Sequence, residues 1–142
     1  MENNLVALFV LIRRFEGCYL RAYLCPAGVW TIGYGATGPG IGPGVVWTRE
    51  QAEKRLQVDA MRFVKATLVL CPELRGDKLC AIADFAYNLG AGNLKHSTLR
   101  RRVNSGDWEG AAIELMKWVR GGGKILPGLK KRRAAECVLV RG

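Results

Sequence analysis

Apolar residues near the start of the chain recur with the spacing of a single helix face. They stand at positions i, i+3, i+4, i+7 and i+10, namely Leu5, Leu8, Phe9, Ile12 and Phe15. This period predicts an amphipathic helix whose apolar side packs on a core. Gly17 is expected to end the helix, as glycines do just after a helix C-terminus. Glu16 is then the last helical residue.

Two short runs of β-forming residues follow this helix. Residues 19–24 and 29–34 predict strands, and the four residues between them, Cys-Pro-Ala-Gly, have proline and glycine where turns use them. We therefore expect a β-hairpin with its turn at residues 25–28. The glycine-rich segment that continues to Gly44 predicts a loop.

The segment at residues 33–38, GYGATG, fits the G-x-G-x-x-G pattern of dinucleotide-binding loops. That motif needs a strand before the glycines and a helix that opens directly from them. The strand is predicted, but PGIGPG follows Gly38, and its prolines and glycines prevent a helix start. The pattern therefore does not indicate a nucleotide site.

The remainder of the chain has the helical period. Thr48 precedes Gln51 by three positions, which is the spacing of a capping box, and a long helix is predicted over residues 49–68. Beyond Pro72 an apolar helix face ends at Gly90. Three further helices are predicted, at residues 98–104, 108–119 and 129–140.

These elements predict an α+β fold that is mostly helical and has two lobes. A small N-terminal lobe, about residues 1–47, carries the hairpin, and the helix over residues 48–68 connects it to a larger helical lobe over residues 69–142. The 142 residues fit one domain, long enough to bury an apolar core. Because ligand sites tend to lie in clefts between lobes, functional residues are expected there.

The charge of the chain is strongly positive. Its 22 Lys and Arg against 12 Asp and Glu give +10, a balance that favours an anionic partner. Nucleic acid, an acidic membrane surface and an anionic cell-wall polymer all fit. The basic runs at residues 100–102 and 130–133 lie on predicted helices, where a solvated face explains them as well as a binding role does.

Metal and cofactor sites are not expected. The chain has one histidine, His96, and its cysteines have no C-x-x-C spacing. Cys80 and Cys137 lie among apolar residues and are predicted to be reduced core residues, with disulfides possible but not needed. The five cysteines are Cys18, Cys25, Cys71, Cys80 and Cys137.

The N-terminal apolar run does not fit a membrane anchor. Residues 5–12 are too few to span a bilayer, and the basic pair Arg13–Arg14 follows the run, whereas the charges of a signal peptide precede its apolar core. We therefore expect no targeting segment and no stable membrane anchor in this chain.

Four segments of the chain together carry a family resemblance. They are FEGCYLRAYLCPAGVWTIGYG at residues 15–35, DFAYNLG at 84–90, STLRRRVNSGDW at 97–108 and LPGLKKRRAAE at 126–136. In this order they resemble motifs of the phage lysozymes, the endolysins of glycoside hydrolase family 24. The resemblance covers nearly the whole chain and implies a lysozyme-like fold.

The resemblance also implies site residues. The family triad is a glutamate, an aspartate nine residues later and a threonine six residues after that, and Glu16, Cys25 and Thr31 stand at these positions. Cys25 thus replaces the family aspartate, and Ala36 stands where a histidine often follows the G-Y-G. Asn88 matches a family position whose amide faces the sugar, although an asparagine near a helix end is also a common cap.

These residue types suit glycosidic bond hydrolysis. The reaction needs a proton for the leaving oxygen and a group on the opposite side of the sugar that supplies or steadies the attacking oxygen. Glu16 suits the first role, and the hydroxyl of Thr31 can hold one water. A thiol is mostly protonated at neutral pH unless its surroundings stabilise the thiolate. As a thiolate, Cys25 can stabilise charge on the sugar ring, orient the water or attack the anomeric carbon, so inversion and retention both stay open.

The resemblance implies a muramidase that cleaves the β-1,4 bond between N-acetylmuramic acid and N-acetylglucosamine in peptidoglycan for host-cell lysis. We also expect a monomer without a nucleic-acid partner, held in the host cytoplasm until release to the cell wall. One alternative is a catalytically silent peptidoglycan-binding protein on the same fold. The other is a basic protein that binds nucleic acid or disrupts membranes. Arg132 or Arg133 can reach the cleft to pair with an acidic group near Glu16, but at least one of them is expected to be exposed.

Overall fold

The computed structural model describes residues 4–142, which form seven helices and two small antiparallel sheets. The α+β, mostly helical class predicted from the pattern is confirmed. In chain order the elements are α1 (Val6–Glu16), β1 (Tyr19–Leu24), β2 (Trp30–Gly33), α2 (Arg49–Leu70), α3 (Gly76–Leu89), α4 (Ala91–Lys95), α5 (Thr98–Asn104), α6 (Trp108–Leu115), β3 (Arg120–Gly121), β4 (Lys124–Ile125) and α7 (Pro127–Arg141).

Helix α1 packs on the core through a narrower face than its apolar pattern predicts. Leu8 and Ile12 are buried as expected, and Leu11 joins them. The other three members of the predicted face, Leu5, Phe9 and Phe15, are half-buried. Gly17 ends the helix at a φ of 70°, a left-handed conformation that glycine adopts without strain.

The predicted hairpin forms from β1 and β2. Tyr23 pairs with Thr31 and Leu24 with Trp30, so the turn falls at residues 25–28 as predicted. The glycine-rich segment after β2 folds back on the hairpin through bridges from Arg21 to Val46 and from Ile32 to Ala36. A small apolar cluster results beneath the sheet, formed by Ala22, Ile32 and Ala36.

Helix α3 lies at the centre of the helical part. Its residues 79–86 are all buried, and it packs against α1, α2 and α7. Helix α2 begins with the predicted capping box, in which the Thr48 side chain accepts from the Gln51 backbone and the Gln51 side chain accepts from the Thr48 backbone. It runs two residues further than predicted, to Leu70.

The prediction for residues 108–119 is wrong in its last four residues. Helix α6 ends at Leu115, and a short hairpin of β3 and β4 follows before α7. The three glycines at 121–123 explain the difference, because Gly122 and Gly123 adopt φ values of 58° and 81° at the hairpin turn. The five-residue helix α4 was not predicted either, and α7 begins at Pro127, two residues earlier than expected.

All five cysteines are free thiols in the structure. Cys80 and Cys137 are buried, as predicted, and so is Cys71. Within residues 4–142 no helix combines the length and the apolar character needed to cross a bilayer. The division into lobes near residues 47 and 69 stays a prediction, and residues 1–3 of its first lobe lie outside those described.

Candidate active site

Glu16 is presented at the end of α1, beside a cavity of about 490 Å³. Its side chain is 22% exposed, so part of the carboxyl faces the open space while part is held by the protein. Phe15, Asn88 and Arg132 line the same cavity together with residues 126–129 at the start of α7. The site thus lies where α1, α3 and α7 meet.

A larger depression of about 640 Å³ lies on α4 and α5, away from Glu16. Its lining is basic and polar, including Lys95, Arg100 and Arg101, and contains no carboxyl group. A glycosidase needs a proton donor at the scissile bond. The smaller cavity beside Glu16 is therefore the candidate active site.

A buried charge network holds Glu16 in place. Nη1 of Arg132 lies 2.6 Å from Oε2 of Glu16, and the same guanidinium donates to both carboxylate oxygens of Asp84 at 2.9 and 2.8 Å. Arg132 is 3% exposed and Asp84 is fully buried. Burial opposes the charge of Arg132, but the hydrogen bonds and charges of Asp84 and Glu16 outweigh it and raise the pKa of Arg132.

Gly35 borders the other carboxylate oxygen of Glu16. A Cβ at this position would lie 2.9 Å from Oε1 of Glu16, closer than side chains pack. The backbone φ of Gly35 is 87°, which also favours glycine. The glycines after the hairpin were expected to let the backbone turn beside a substrate, and at Gly35 the backbone passes directly beside the acidic group.

Cys25 lies on the hairpin turn, half-buried, with its thiol among backbone N–H groups. The backbone N–H of Val29, and after it that of Ala27, lower the pKa of the Cys25 thiol against the opposing effect of partial burial. The turn itself closes through the Cys25 N–H, which donates to the Val29 carbonyl at 3.0 Å. These groups favour the thiolate, the form with nucleophilic and basic character.

Thr31 lies on β2 and is buried. Its hydroxyl donates to the carbonyl of Val29 at 3.0 Å, which places it at the foot of the turn that carries Cys25. Tyr23 pairs with Thr31 across the hairpin, and the charges of Glu16 and Cys25 both affect its pKa. After burial and the neighbouring Tyr19, the negative charges of Glu16 and Cys25 raise the pKa of Tyr23. Glu16 and Cys25 both lie within electrostatic range of Tyr23, but neither Cys25 nor Thr31 is among the residues that line the cavity beside Glu16.

The expectation that Arg132 or Arg133 is exposed is wrong for both. Arg133 is fully buried and donates through Nη2 to Oδ1 of Asn88 at 2.7 Å and to Oε2 of Glu136 at 3.0 Å. Buried cations need carboxylate partners, and α1, α3 and α7 supply them to this pair. Lys130 and Lys131 of the same run are exposed.

Several members of this site were not found from the sequence. Asp84, Glu136 and Gly35 all lie inside the motifs that carry the resemblance, but the resemblance assigned none of these three residues a role. The pattern that marks Asp84 and Glu136 is a charged residue on a helix face that otherwise packs in the core. Within residues 4–142, no group of three or more histidine, cysteine or acidic side chains is arranged to hold a metal ion.

Comparison with known proteins identifies relatives over nearly the full chain. The family model for phage lysozyme matches residues 13–136. An endolysin of Acyrthosiphon pisum secondary endosymbiont phage 1 is 43% identical over 136 residues, which cover 92% of each protein. An endolysin of Bacillus phage B103 is 40% identical over 132 residues, 91% of this chain and 50% of that protein, so the chain spans about half the length of that relative.

A solved structure supports the same grouping at the level of the fold. The muramidase domain of SpmX from Asticaccaulis excentricus is 31% identical and matches with a TM-score of 0.88 over 99% of each chain. The predicted lysozyme-like fold is thereby confirmed.

Proposed function

This chain belongs to the phage lysozyme family and is an endolysin-type muramidase that acts on peptidoglycan, and on that premise we propose that it hydrolyses the β-1,4 bond between N-acetylmuramic acid and N-acetylglucosamine. Glu16 is the proposed proton donor and Cys25 the group on the opposite side of the sugar. The observation that carries the proposal is the Glu16 carboxyl, held by buried Arg132 at the wall of the cavity.

Glu16 gives its proton to the leaving oxygen of the glycosidic bond. Its Oε2 accepts a hydrogen bond from Arg132, so the transferred proton is carried on Oε1. Asp84 balances the charge of Arg132 through two further hydrogen bonds. Arg132 therefore orients Glu16 without presenting an unpaired cation to it. General acid catalysis of this kind contributes about 10²- to 10⁴-fold to rate.

Cys25 and Thr31 act together on the attacking water. The hydroxyl of Thr31 holds the water, and the thiolate of Cys25 accepts one of its protons while the water oxygen bonds to the anomeric carbon. The glycosidic bond breaks as the leaving oxygen takes the Glu16 proton, so the products are two sugar chain ends, a thiol and a carboxylate. Proton exchange with solvent then restores both groups. Attack by water in this way inverts the anomeric carbon.

The two alternative functions have less support. A silent binding protein would need no stabilised thiolate, whereas the turn N–H groups lower the pKa of Cys25. A protein that acts by charge alone would need no acidic group at a cavity wall. We attribute the net charge of +10 to attraction toward the anionic cell wall. We also propose that the protein is a monomer and that it binds no nucleic acid.

The location of the protein before lysis is also part of the proposal. The enzyme is held in the host cytoplasm until lysis and then reaches peptidoglycan in the periplasm. Fractionation of infected cells before and during lysis tests this, and accumulation at the cell wall well before lysis would contradict it.

Analysis of the digestion products tests the proposed reaction. Purified peptidoglycan is digested, the new reducing ends are reduced with borohydride, and the sugars are identified by mass spectrometry. We expect reduced N-acetylmuramic acid, and the first anomer seen by NMR should be the inverted one. Reduced N-acetylglucosamine would contradict the assigned bond, and an initially retained anomer would contradict attack by water.

The role of Cys25 is tested by substitution and by alkylation. Cys25→Asp places the family carboxylate at the turn and should retain hydrolysis, whereas Cys25→Ala should lose it. Iodoacetamide should inactivate the wild type but not Cys25→Asp. Burial raises the pKa of Cys80 and Cys137 and raises that of Cys71 to about 11, so these thiols react slowly.

Cys18 is the remaining competitor for the reagent, because it is half-buried. All proteins in the series therefore carry Cys18→Ala, and mass spectrometry should find one alkyl group, on Cys25. Full activity in Cys25→Ala would show that the thiol has no part in the reaction.

A further inference from the structure

Asn88 meets a buried arginine at the edge of the active-site cavity. It stands one residue before the end of α3, and its Oδ1 accepts a hydrogen bond of 2.7 Å from Nη2 of Arg133 on α7. Asn88 is half-buried and lines the cavity together with Glu16. The side chain therefore has one end fixed to the protein and the other end near the space in which a ligand would lie.

This contact decides which end of the amide a ligand meets. An asparagine amide has an oxygen that accepts and a nitrogen that donates two hydrogen bonds. Because Arg133 has donors only, it selects the oxygen. The Nδ2 group of Asn88 has no hydrogen-bond partner within residues 4–142, so the group left for a ligand is a donor.

Glu136 in turn fixes Arg133. The two side chains are both fully buried, with Nε of Arg133 2.8 Å from Oε1 of Glu136 and Nη2 3.0 Å from Oε2. Burial is the main cause that raises the pKa of the Glu136 carboxyl, and the neighbouring Asp84 adds to it. Arg133 also packs against the ring of Phe85, at 5.1 Å from its centroid. Within the described residues its Nε and Nη1 atoms make no hydrogen bond, so burial, the Nη2 contacts and the Phe85 ring are what limit its freedom to turn away from Asn88.

We propose that Arg133, held by Glu136, is a positioning residue that turns the Asn88 amide so that Nδ2 donates to an acceptor oxygen of the sugar chain. The hydroxyl and acetamido oxygens of the substrate are such acceptors. This inference rests on the proposed function only in that the ligand of the cavity is a peptidoglycan sugar chain. It adds that the sugar group bound at this subsite must offer a hydrogen-bond acceptor. Arg133 and Glu136 of α7 set this requirement.

The test measures binding and not turnover, so it remains valid if the proposed reaction fails. All proteins carry Glu16→Gln, and the probe is a purified peptidoglycan tetrasaccharide titrated by calorimetry. The variants Asn88→Ala and Asn88→Asp should each raise Kd about tenfold, since each removes one hydrogen-bond donor. Asn88→Asp is the sharper of the two, because its shape is that of asparagine and a carboxylate still pairs with Arg133.

A double-mutant cycle separates positioning from a merely structural role. Arg133→Lys should raise Kd by a similar factor, because lysine lacks the planar guanidinium whose Nη2 donates to Oδ1 of Asn88 and to Oε2 of Glu136. In Asn88→Ala, Arg133→Lys should have no further effect, because the amide that it orients is already absent. If Arg133→Lys does not fold, Glu136→Gln replaces it in the cycle, and the unfolding midpoint of each protein is measured alongside.

Arg101→Lys on the exposed surface of α5 is the matched control and should leave Kd unchanged. Losses that add in the double variant would overturn the proposal, since they would show that Arg133 acts independently of Asn88. An unchanged Kd in Asn88→Asp would overturn it as well, since no donor would then be needed.

Discussion

At Gly35 the backbone passes so close to the Glu16 carboxyl that a single added carbon would displace the acidic group. The site for a Cβ lies 2.9 Å from Oε1 of Glu16. We expect Gly35→Ala to lower the rate of hydrolysis at least tenfold, because a displacement of about 1 Å in a catalytic group can cost up to about 10²-fold. The measurement is kcat on purified peptidoglycan.

Backbone strain from the substitution needs its own control. Gly40 has a φ of 82°, close to the 87° of Gly35, but a Cβ there would meet nothing within 4 Å. Gly40→Ala should therefore lose a comparable amount of stability and keep its activity. Equal activity losses in the two variants would show that strain in the loop, and not contact with Glu16, is responsible.

The residues around Glu16 show how far single positions could be predicted. The resemblance indicated Glu16, Cys25 and Thr31, and their catalytic roles stay predictions. The sequence offered either Arg132 or Arg133 as the partner of an acidic group near Glu16, but it did not indicate that Arg132 joins Glu16 to Asp84, because these contacts link residues 116 and 48 positions apart along the chain. Pairing of this kind depends on where helices meet, which a local pattern does not contain.

At the scale of elements, α1 connects the apolar core to the acidic group at its end. Leu8 is fully buried in the core cluster. We expect Leu8→Ala to lower the free energy of unfolding by about 2 to 5 kcal/mol, as deletion of a buried leucine side chain does. Denaturant unfolding measures this. Val10→Ala, at an exposed position of the same helix, should have little effect, and an unchanged midpoint in Leu8→Ala would contradict the packing of α1.

A polar contact ties α1, β2 and α2 together. Glu53 accepts hydrogen bonds from Arg13 on α1 and from Tyr34 just after β2. Arg13 and then Tyr34 lower the pKa of Glu53 below 4.5. A carboxyl with a lowered pKa stabilises the fold fully above its unfolded value and loses that contribution as pH falls through the folded value.

Glu53→Gln should therefore be less stable than the wild type at pH 7, and the difference should shrink as pH falls through the lowered pKa of Glu53. Urea unfolding across this range measures it. Glu50→Gln, in the first turn of the same helix and exposed, is the control for the charge change. A difference in stability that stays constant with pH would show that shape, and not ionisation of Glu53, is responsible.

The elements that were predicted well have local signals. The capping box starts α2 at Arg49, and α5 has the predicted bounds, with the Ser97 side chain accepting from the Arg100 backbone at its start. The helix predicted over residues 108–119 failed in its last four residues because the apolar period continues past Leu115 through the segment that leads into the β3–β4 hairpin. The three glycines at 121–123 favour a hairpin turn there more strongly than the apolar period favours a helix.

At the scale of the whole molecule, the proposed active site is assembled from parts that are distant along the chain. Helix α1 carries Glu16 and α3 carries Asn88, α7 supplies the arginines that hold these two residues, and the proposal adds Cys25 and Thr31 of the hairpin. The fold therefore has to be complete before the site exists. Charge alone would not require this, since a basic surface persists in a partly folded chain.

The central claim is that Glu16 supplies the proton for hydrolysis of the sugar chain. The most direct measurement is the rate at which wild type and Glu16→Gln release reducing ends from purified peptidoglycan, with the unfolding midpoint measured in parallel. The amide has the shape of the acid but no transferable proton, so we expect a loss of about 10²- to 10⁴-fold with the fold intact. Near wild-type release by a folded Glu16→Gln protein would contradict the claim.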